Sequence, residues 1–433
     1  MKYYSTKSTN KFTSASESAI LGLPPDNGLY MPETIPHLSS DFFSNIKKMS
    51  LSEKAFHILA PYFEPDFTKE EIKKIVEETF NFEIPLVKIT DRVFSLELYH
   101  GPTLAFKDVG ARFLARCLNA ISKNEKQKLT VLVATSGDTG SAVAHGFYGL
   151  DHVDVIILYP DGRVSDLQER QMTCLGKNIT ALKVKGSFDD CQNMVKKAFL
   201  DNELRSQISL TSANSINIAR FLPQSVYYYH AISQLENEGK EGKVAISVPS
   251  GNYGNMTAGL FAKLTGLKID QFIASSNANK IFPDYLNSGI YSPKPSVKTL
   301  SNAMDVGDPS NFQRLERLFN LYPELKSTIT GFSFSDNETM KCIDKTYKDT
   351  GYILDPHGAV GLLGLETFLE KNQDYTGVFL ETAHPVKFNE TVEKVLDKTL
   401  EIPEQLQDVL DRDKKFIPLD NDYEAFRTFL MER

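Results

Sequence analysis

The feature that most constrains the fold begins near residue 93. From there, short β-branched runs lead into glycine-containing turns, and the turns lead into stretches with small and apolar residues at helical spacing. This alternation predicts an α/β architecture with buried, mainly parallel sheets joined by right-handed crossovers. The predicted strands are Val93–Tyr99, Leu129–Ala134, Val153–Tyr159, Val244–Val248, Gln271–Ser275 and Gly377–Leu380. In open α/β sheets, ligands sit beyond the carboxyl ends of strands. The loops that follow these runs are therefore where chemistry is sought.

The 433 residues, 41% hydrophobic and 24% charged, suffice for about two to three domains of an ordinary globular protein. The first ninety or so residues carry no visible chemistry. They hold two helical patterns, Ser52–Leu59 and Thr68–Phe80, the second with Ile72, Ile75, Val76, Thr79 and Phe80 on one face. They are read as a small N-terminal domain.

A net charge of −8 without a dense Lys/Arg cluster argues against nucleic acid as a partner, and requires any anionic ligand to be held by local donors. Cys117, Cys174, Cys191 and Cys342 form no C-x-x-C pair and no zinc-like spacing with histidine, so no metal is expected. With no apolar run of signal-peptide or membrane-spanning length, no membrane partner is expected and the location expected is the cytoplasm.

Four loops stand out. His100–Arg112 places Lys107 between apolar Phe106 and the start of a helix, where burial and the helix N-terminus both disfavour an ammonium and so suit an imine-forming amine. Lys107 also reads as a surface lysine whose stem packs on Phe106. The turn Thr135-Ser136-Gly137-Asp138-Thr139-Gly140 offers hydroxyls and helix-start amides to a carboxylate or phosphate, or else is a βα turn capped by Ser136 or Asp138. Pro249–Gly259 has Gly251 and Gly254 placed so that amides can close around a phosphate, yet it matches neither G-x-x-x-x-G-K-[ST] nor G-x-G-x-x-G. The strand end Glu381–Phe388 offers Thr382, with His384 read as structural. Upstream, Asn214–Arg220 gathers short polar side chains and an arginine that suit a phosphate monoester, although a capped helix start explains Asn214 and Ser215 equally well. Together these make two anion sites and one apolar-flanked lysine. A phosphorylated aldehyde cofactor with a phosphorylated or carboxylated substrate needs that inventory.

Six blocks in order, H-G-P-T-L-A-F-K-D (100–108), A-T-S-G-D-T-G-S-A (134–142), N-S-I-N-I-A-R (214–220), P-S-G-N-Y-G-N (249–255), S-N-A-M-D-V-G (301–307) and T-A-H-P (382–385), span nearly the whole chain. In them the chain resembles the threonine synthases, in their longer bacterial and fungal form, among the tryptophan-synthase-β-like pyridoxal-phosphate enzymes. The resemblance implies two α/β domains with central, mainly parallel sheets, the cofactor in the cleft between them, and an added N-terminal domain. The boundaries expected are 1–92 for the N-terminal domain, 93–128 with 220–433 for the large domain, and 129–219 for the small one.

It implies pyridoxal 5'-phosphate as cofactor and conversion of O-phospho-L-homoserine and water to L-threonine and phosphate. Lys107 is then the lysine that binds the cofactor as an imine and moves protons. Gly251, Asn252, Tyr253, Gly254 and Asn255 form the cofactor-phosphate loop, Thr382 faces the ring nitrogen, and Asp138 stands where relatives place an Asn beside the ring hydroxyl. Thr135, Ser136 and Thr139 fall to the substrate carboxylate, and Ser215, Asn217 and Arg220 to its phosphate. Tyr253 stands where Phe is commoner. The block at 301–307 is part of the resemblance and has no physical account from the sequence. Dehydratases and β-replacement enzymes of the same fold lack the 214–220 block, a non-catalytic relative would lack Lys107 or the glycine loop, and a dinucleotide oxidoreductase would need a fingerprint this chain does not have. The resemblance leaves open whether the chain is a monomer or a homo-oligomer.

Overall fold

A computed structural model describes residues 1–123, 128–135 and 137–433. The N-terminal region builds a three-stranded antiparallel sheet in the order β2-β1-β3, from β1 (Lys2–Ser5), β2 (Ser8–Ser14) and β3 (Tyr30–Pro32). Two helices, Leu51–Phe63 and Lys69–Thr79, follow. Each starts at a capping box, Ser50 with Glu53 and Thr68 with Glu71, in which side chains satisfy the orphan amides of the first turn. Ile72, Ile75, Val76 and Thr79 are buried as their spacing predicts.

The remaining strands are β4 (Leu86–Lys88), β5 (Val93–Glu97), β6 (Leu129–Ala134), β7 (Val153–Pro160), β8 (Ile179–Lys185), β9 (Ser209–Ser212), β10 (Lys243–Pro249), β11 (Gln271–Ser276), β12 (Ile329–Ser333), β13 (Tyr375–Glu381) and β14 (Ile417–Asp420). They form a six-stranded sheet, β12-β11-β10-β13-β5-β4, and a five-stranded sheet, β14-β8-β7-β6-β9. Every pairing in these two sheets is parallel except β4 with β5. Ala245, Ile246 and Val248, side by side on β10, are all buried. That is what a strand covered by helices on both faces requires, and it is why these runs read as apolar rather than alternating.

All six predicted strands are present. Two elements fall on the other side of the expected boundaries. β4 lies within 1–92 but pairs antiparallel with β5 of the six-stranded sheet. β14 lies within 220–433 but pairs with β8 of the five-stranded sheet, Ile417 opposite Leu182. Pro418 is tolerated in β14 because an edge strand has N–H groups facing away from its partner. Among the described residues, no helix is long and apolar enough to cross a membrane.

The units meet through close helix packing. A Cβ added at Gly110, in the helix Lys107–Ser122, would lie 2.7 Å from the Arg220 carbonyl oxygen, and one at Gly146 would lie 3.1 Å from the Ala111 carbonyl carbon. Glycine lets the helices approach until backbone meets backbone. This brings the start of the helix Lys107–Ser122 beside the segment 214–220 and the helix Asp138–Phe147.

Candidate active site

After β5 the chain turns at Leu104, which sits in the left-handed region (φ 55). Ala105 then bridges to Ala383, and the Phe106 amide donates to the Thr382 carbonyl at 2.9 Å. The Tyr227 hydroxyl donates to the Phe106 carbonyl at 2.7 Å. The helix Lys107–Ser122 therefore begins alongside the end of β13, with Lys107 and Thr382 on neighbouring segments. Lys107 is half-buried, and among the described residues its amine has no hydrogen bond and no ion pair. Burial lowers its pKa, Lys387 and Arg220 lower it further, and Asp138 alone opposes them. A neutral nucleophilic amine is favoured. The adjacent Asp108 faces inward, accepting from the Thr103 amide at 2.9 Å and the Thr103 hydroxyl at 2.6 Å, and burial pushes its pKa up to about 6.

The loop after β10 is built to present amides. Tyr253 adopts the left-handed conformation (φ 57) and delivers the chain into the helix Gly254–Leu264 without a side-chain cap. Among the described residues, no amide from Gly251 to Met256 donates to a protein acceptor. The side chains hold the loop from behind. Asn252 accepts from the Ser310 amide at 3.1 Å and the Ser310 hydroxyl at 2.9 Å, Tyr253 bonds Ser276 at 2.6 Å, and Asn255 accepts from Tyr228 at 2.9 Å. The Asn255 side-chain nitrogen is buried without a partner. A row of free amides at a helix N-terminus, with an orphaned buried donor beside it, fits a phosphate group.

The 301–307 block now has a physical account. A Cβ at Gly251 would lie 2.8 Å from the Met304 Cα, so residues 301–305 pack directly on the amide loop. Asp305 fixes them there, accepting from Asn277 at 3.0 Å, Asn279 at 3.1 Å and the Thr299 hydroxyl at 2.7 Å, and the Ala303 amide donates to His357 at 3.2 Å.

The turn after β6 is organised differently. The buried Thr135 hydroxyl accepts from the Gly137 amide at 3.0 Å and the Gly140 amide at 2.9 Å, so this expected substrate ligand is engaged within its own turn. Thr139 is half-buried, and Ser136 lies outside the described residues. Asp138 opens the helix Asp138–Phe147 and bonds Lys387 at 2.8 Å and Gln168 at 3.2 Å. Burial alone would raise its carboxyl pKa, but the charges of Lys387 and Lys107 outweigh that and hold it well below the usual range.

In the segment 214–220, Arg220 is 3% exposed and donates to the Ala213 carbonyl at 2.6 Å. Burial lowers its pKa to about 10, and among the described residues no carboxylate pairs with it. A buried guanidinium without a counter-ion is costly, and an incoming anion relieves that cost. Among the described residues the half-buried Ser215 bonds only Asn214, at 3.3 Å. Asn217 departs from expectation. Its carbonyl caps the helix Ile218–Phe221 by accepting from the Ala219 amide, and its nitrogen donates to the Ala19 carbonyl at 2.8 Å. Both ends of the amide are consumed, so Asn217 fastens the segment to the N-terminal region.

Lys107, Asp138, Thr382 and Arg220 thus share one neighbourhood, with the amide loop presented from β10. Two residues without an assigned role in the sequence belong with them. Lys387 is buried against Asp138, Thr103 and Gln171. Arg314, fully buried, donates to the carbonyls of Tyr30 and Ile216 and to Asn311, which in turn donates to the Asn252 carbonyl. Neither carries a local signal. Their partners come from distant parts of the chain.

Three family models match the chain: "Threonine synthase N terminus" over residues 2–80, "Pyridoxal-phosphate dependent enzyme" over 84–378, and "Threonine synthase, C-terminal" over 358–430. The threonine synthase of Haemophilus influenzae is 43% identical over 432 residues, covering 100% of both chains. The crystal structure of threonine synthase from Escherichia coli superposes with a TM-score of 0.91 at 41% identity over 100% of both chains. The pyridoxal-phosphate-bound threonine synthase of Brucella melitensis superposes with a TM-score of 0.93 at 34% identity, over 100% of this chain and 99% of that one. A half-buried lysine, a row of amides and a buried arginine, all without partners among the described residues, thus sit in a fold shared over its whole length, and the chain belongs to the threonine synthase family of pyridoxal-phosphate-dependent enzymes.

Proposed function

We propose that the chain converts O-phospho-L-homoserine and water to L-threonine and phosphate, with Lys107 holding pyridoxal 5'-phosphate between the six-stranded and five-stranded sheets. The observation that carries the substrate assignment is Arg220, a buried cation that pairs with no carboxylate among the described residues and whose charge reaches Lys107. A phosphorylated substrate supplies the missing anion within range of the reacting amine.

When bound, the cofactor supplies a conjugated electron sink for negative charge on the substrate carbons. The amides of Gly251, Asn252, Tyr253, Gly254 and Asn255 would hold its phosphate, and the Thr382 hydroxyl would face its ring nitrogen. A hydroxyl there leaves that nitrogen largely unprotonated and moderates the sink. Asp138, ionised against Lys387, would stand beside the ring hydroxyl. Lys107 supplies an amine kept neutral by burial, which accepts a proton from the substrate Cα and returns protons later. Arg220, with Ser215 beside it, orients the substrate phosphate for departure, and Asn217 keeps that segment in place. Thr139, Ser136 and the turn amides take the substrate carboxylate, while Thr135 fixes the turn's shape. Closure of the cleft keeps water out until it is needed at Cβ. The partners are small molecules, and the location proposed is the cytoplasm.

Borohydride reduction of the purified protein, followed by peptide mass mapping, tests the cofactor lysine. Reduction that fixes the cofactor on Lys107 supports the reading, and fixation elsewhere or none after added cofactor overturns it. Stoichiometric release of phosphate and threonine from O-phosphohomoserine then tests the substrate, and phosphate release without threonine counts against the reaction.

A further inference from the structure

The centre holds two lysines and one nearby carboxylate. Lys387, in the short helix Pro385–Phe388 that follows β13, has a fully buried side chain. Its amine makes three contacts: Asp138 at 2.8 Å, the Thr103 carbonyl at 2.8 Å and Gln171 Oε1 at 3.3 Å. Asp138 completes its coordination with Gln168 at 3.2 Å. Lys107 forms no ion pair among the described residues, although Asp138 and Lys387 both act on it.

From this pairing we infer that Lys387 is a positioning residue: it occupies the Asp138 carboxylate, so that Asp138 does not capture Lys107 as an ammonium, and the Lys107 amine stays nucleophilic. Two cations competing for one buried carboxylate cannot both be well compensated, and the one with direct contact and two further acceptors wins. Two groups besides Lys387 act on Lys107: Asp138 on the helix Asp138–Phe147 and Arg220 on the helix Ile218–Phe221. Around Lys387 the titratable groups are Asp138, Asp108, Lys107, His145 and His384. Burial lowers the pKa of each of these two histidines to about 4, so both are neutral near pH 7 and do not compete for Asp138. The anchoring contacts also span the cleft, since Thr103 precedes Lys107 while Gln171 and Asp138 belong to the helices around the five-stranded sheet.

The inference rests on Lys107 as the cofactor lysine, which borohydride mapping tests separately. The test here is run on full-length protein freed of cofactor by hydroxylamine dialysis, so the two can fail independently. A pulse of acetic anhydride, which acetylates only neutral amines, is applied across pH 6–11, and peptide mapping follows Lys107 and Lys387. In the wild type the Lys107 midpoint should lie below the ordinary lysine value, and a midpoint at or above it overturns the inference without any variant. Lys387→Gln should raise the Lys107 midpoint by about one pH unit or more, making its acetylation near neutral pH about tenfold slower. Lys387→Arg should keep the wild-type midpoint, and Lys387→Gln with Asp138→Asn should return it to the wild-type value or below. A wild-type midpoint in Lys387→Gln, or a raised one in the double variant, would show that Lys387 does not act through Asp138.

Discussion

The loop after β10 and the turn after β6 have the same outline, a parallel strand, a glycine-bearing turn and a helix, yet they expose opposite things. After β10 the side chains of Asn252, Tyr253 and Asn255 are tied away behind the loop and the amides from Gly251 to Met256 are left free. After β6 the Thr135 hydroxyl takes the Gly137 and Gly140 amides, and the charged side chain of Asp138 is what the turn contributes to the centre. One loop offers backbone and the other offers a side chain. The difference follows from a single hydroxyl: a threonine at the strand end can satisfy the turn's own donors, whereas Ser250, at the end of β10, donates instead to the Val248 carbonyl.

The largest effect is expected where the two loops meet. Lys107→Ala should lower kcat by about 10³-fold or more, the scale of a lost general base, and abolish cofactor fixation by borohydride. Arg220→Ala comes next, lowering kcat/KM for O-phosphohomoserine by roughly 10²-fold, as when one partner of a buried charge pair is removed, while cofactor absorbance persists. The comparison itself is sharpened by a pair of variants. Gly251→Ala forces a methyl against Met304 and should weaken cofactor binding about tenfold, seen in fluorescence titration, at an overpacking cost of about 1–3 kcal/mol. Thr135→Val strips the Gly137 amide of its acceptor, while the Gly140 amide keeps the Gly137 carbonyl, and should lower unfolding stability by about 1–3 kcal/mol in urea melts, with cofactor affinity unchanged. Should Gly251→Ala instead cost only stability and Thr135→Val mainly cofactor affinity, the contrast between the loops is broken. The smallest effect is Asn217→Ala, which should cost about 1 kcal/mol of stability as a lost cap, with KM for the phosphorylated substrate moved less than threefold.

Much of this was legible in the sequence, because the signals involved are local. The central strands are apolar runs ended by turn residues, and Lys107 is a cation in apolar company at a helix start. What escaped is built from distant contacts. Lys387 lies in a stretch read for Thr382 and His384, and its importance comes from residues 103, 138 and 171. The resemblance gives Asn217 to the substrate phosphate, yet an asparagine in a polar segment reads the same whether it faces a ligand or caps a helix, and the bond from its nitrogen to the distant Ala19 carbonyl has no local sequence signal. β12 and β14 lie at sheet edges, where half-exposed residues, Gly331 and Pro418 blur the pattern of a buried strand. The 301–307 block acts through backbone packing on Gly251 and through Asp305, whose partners Asn277, Asn279 and Thr299 lie outside the block and are joined to it only by the fold.

The pairing of β14 with β8 bears on the order of events during synthesis. The five-stranded sheet takes four strands from residues 129–212 and its last from residues 417–420, close to the end of the chain. Domains generally fold as the ribosome releases them, but this sheet stays one strand short until residues 417–420 emerge, about two hundred residues after β9. Meanwhile the exposed edge of β8 is a template for any other extended segment nearby. The helix Tyr423–Met431 then buries Phe426 and Leu430 in the hydrophobic cluster that holds Leu182 and Val184 of β8, so the edge that β14 covers is also backed by apolar packing from the same distant segment.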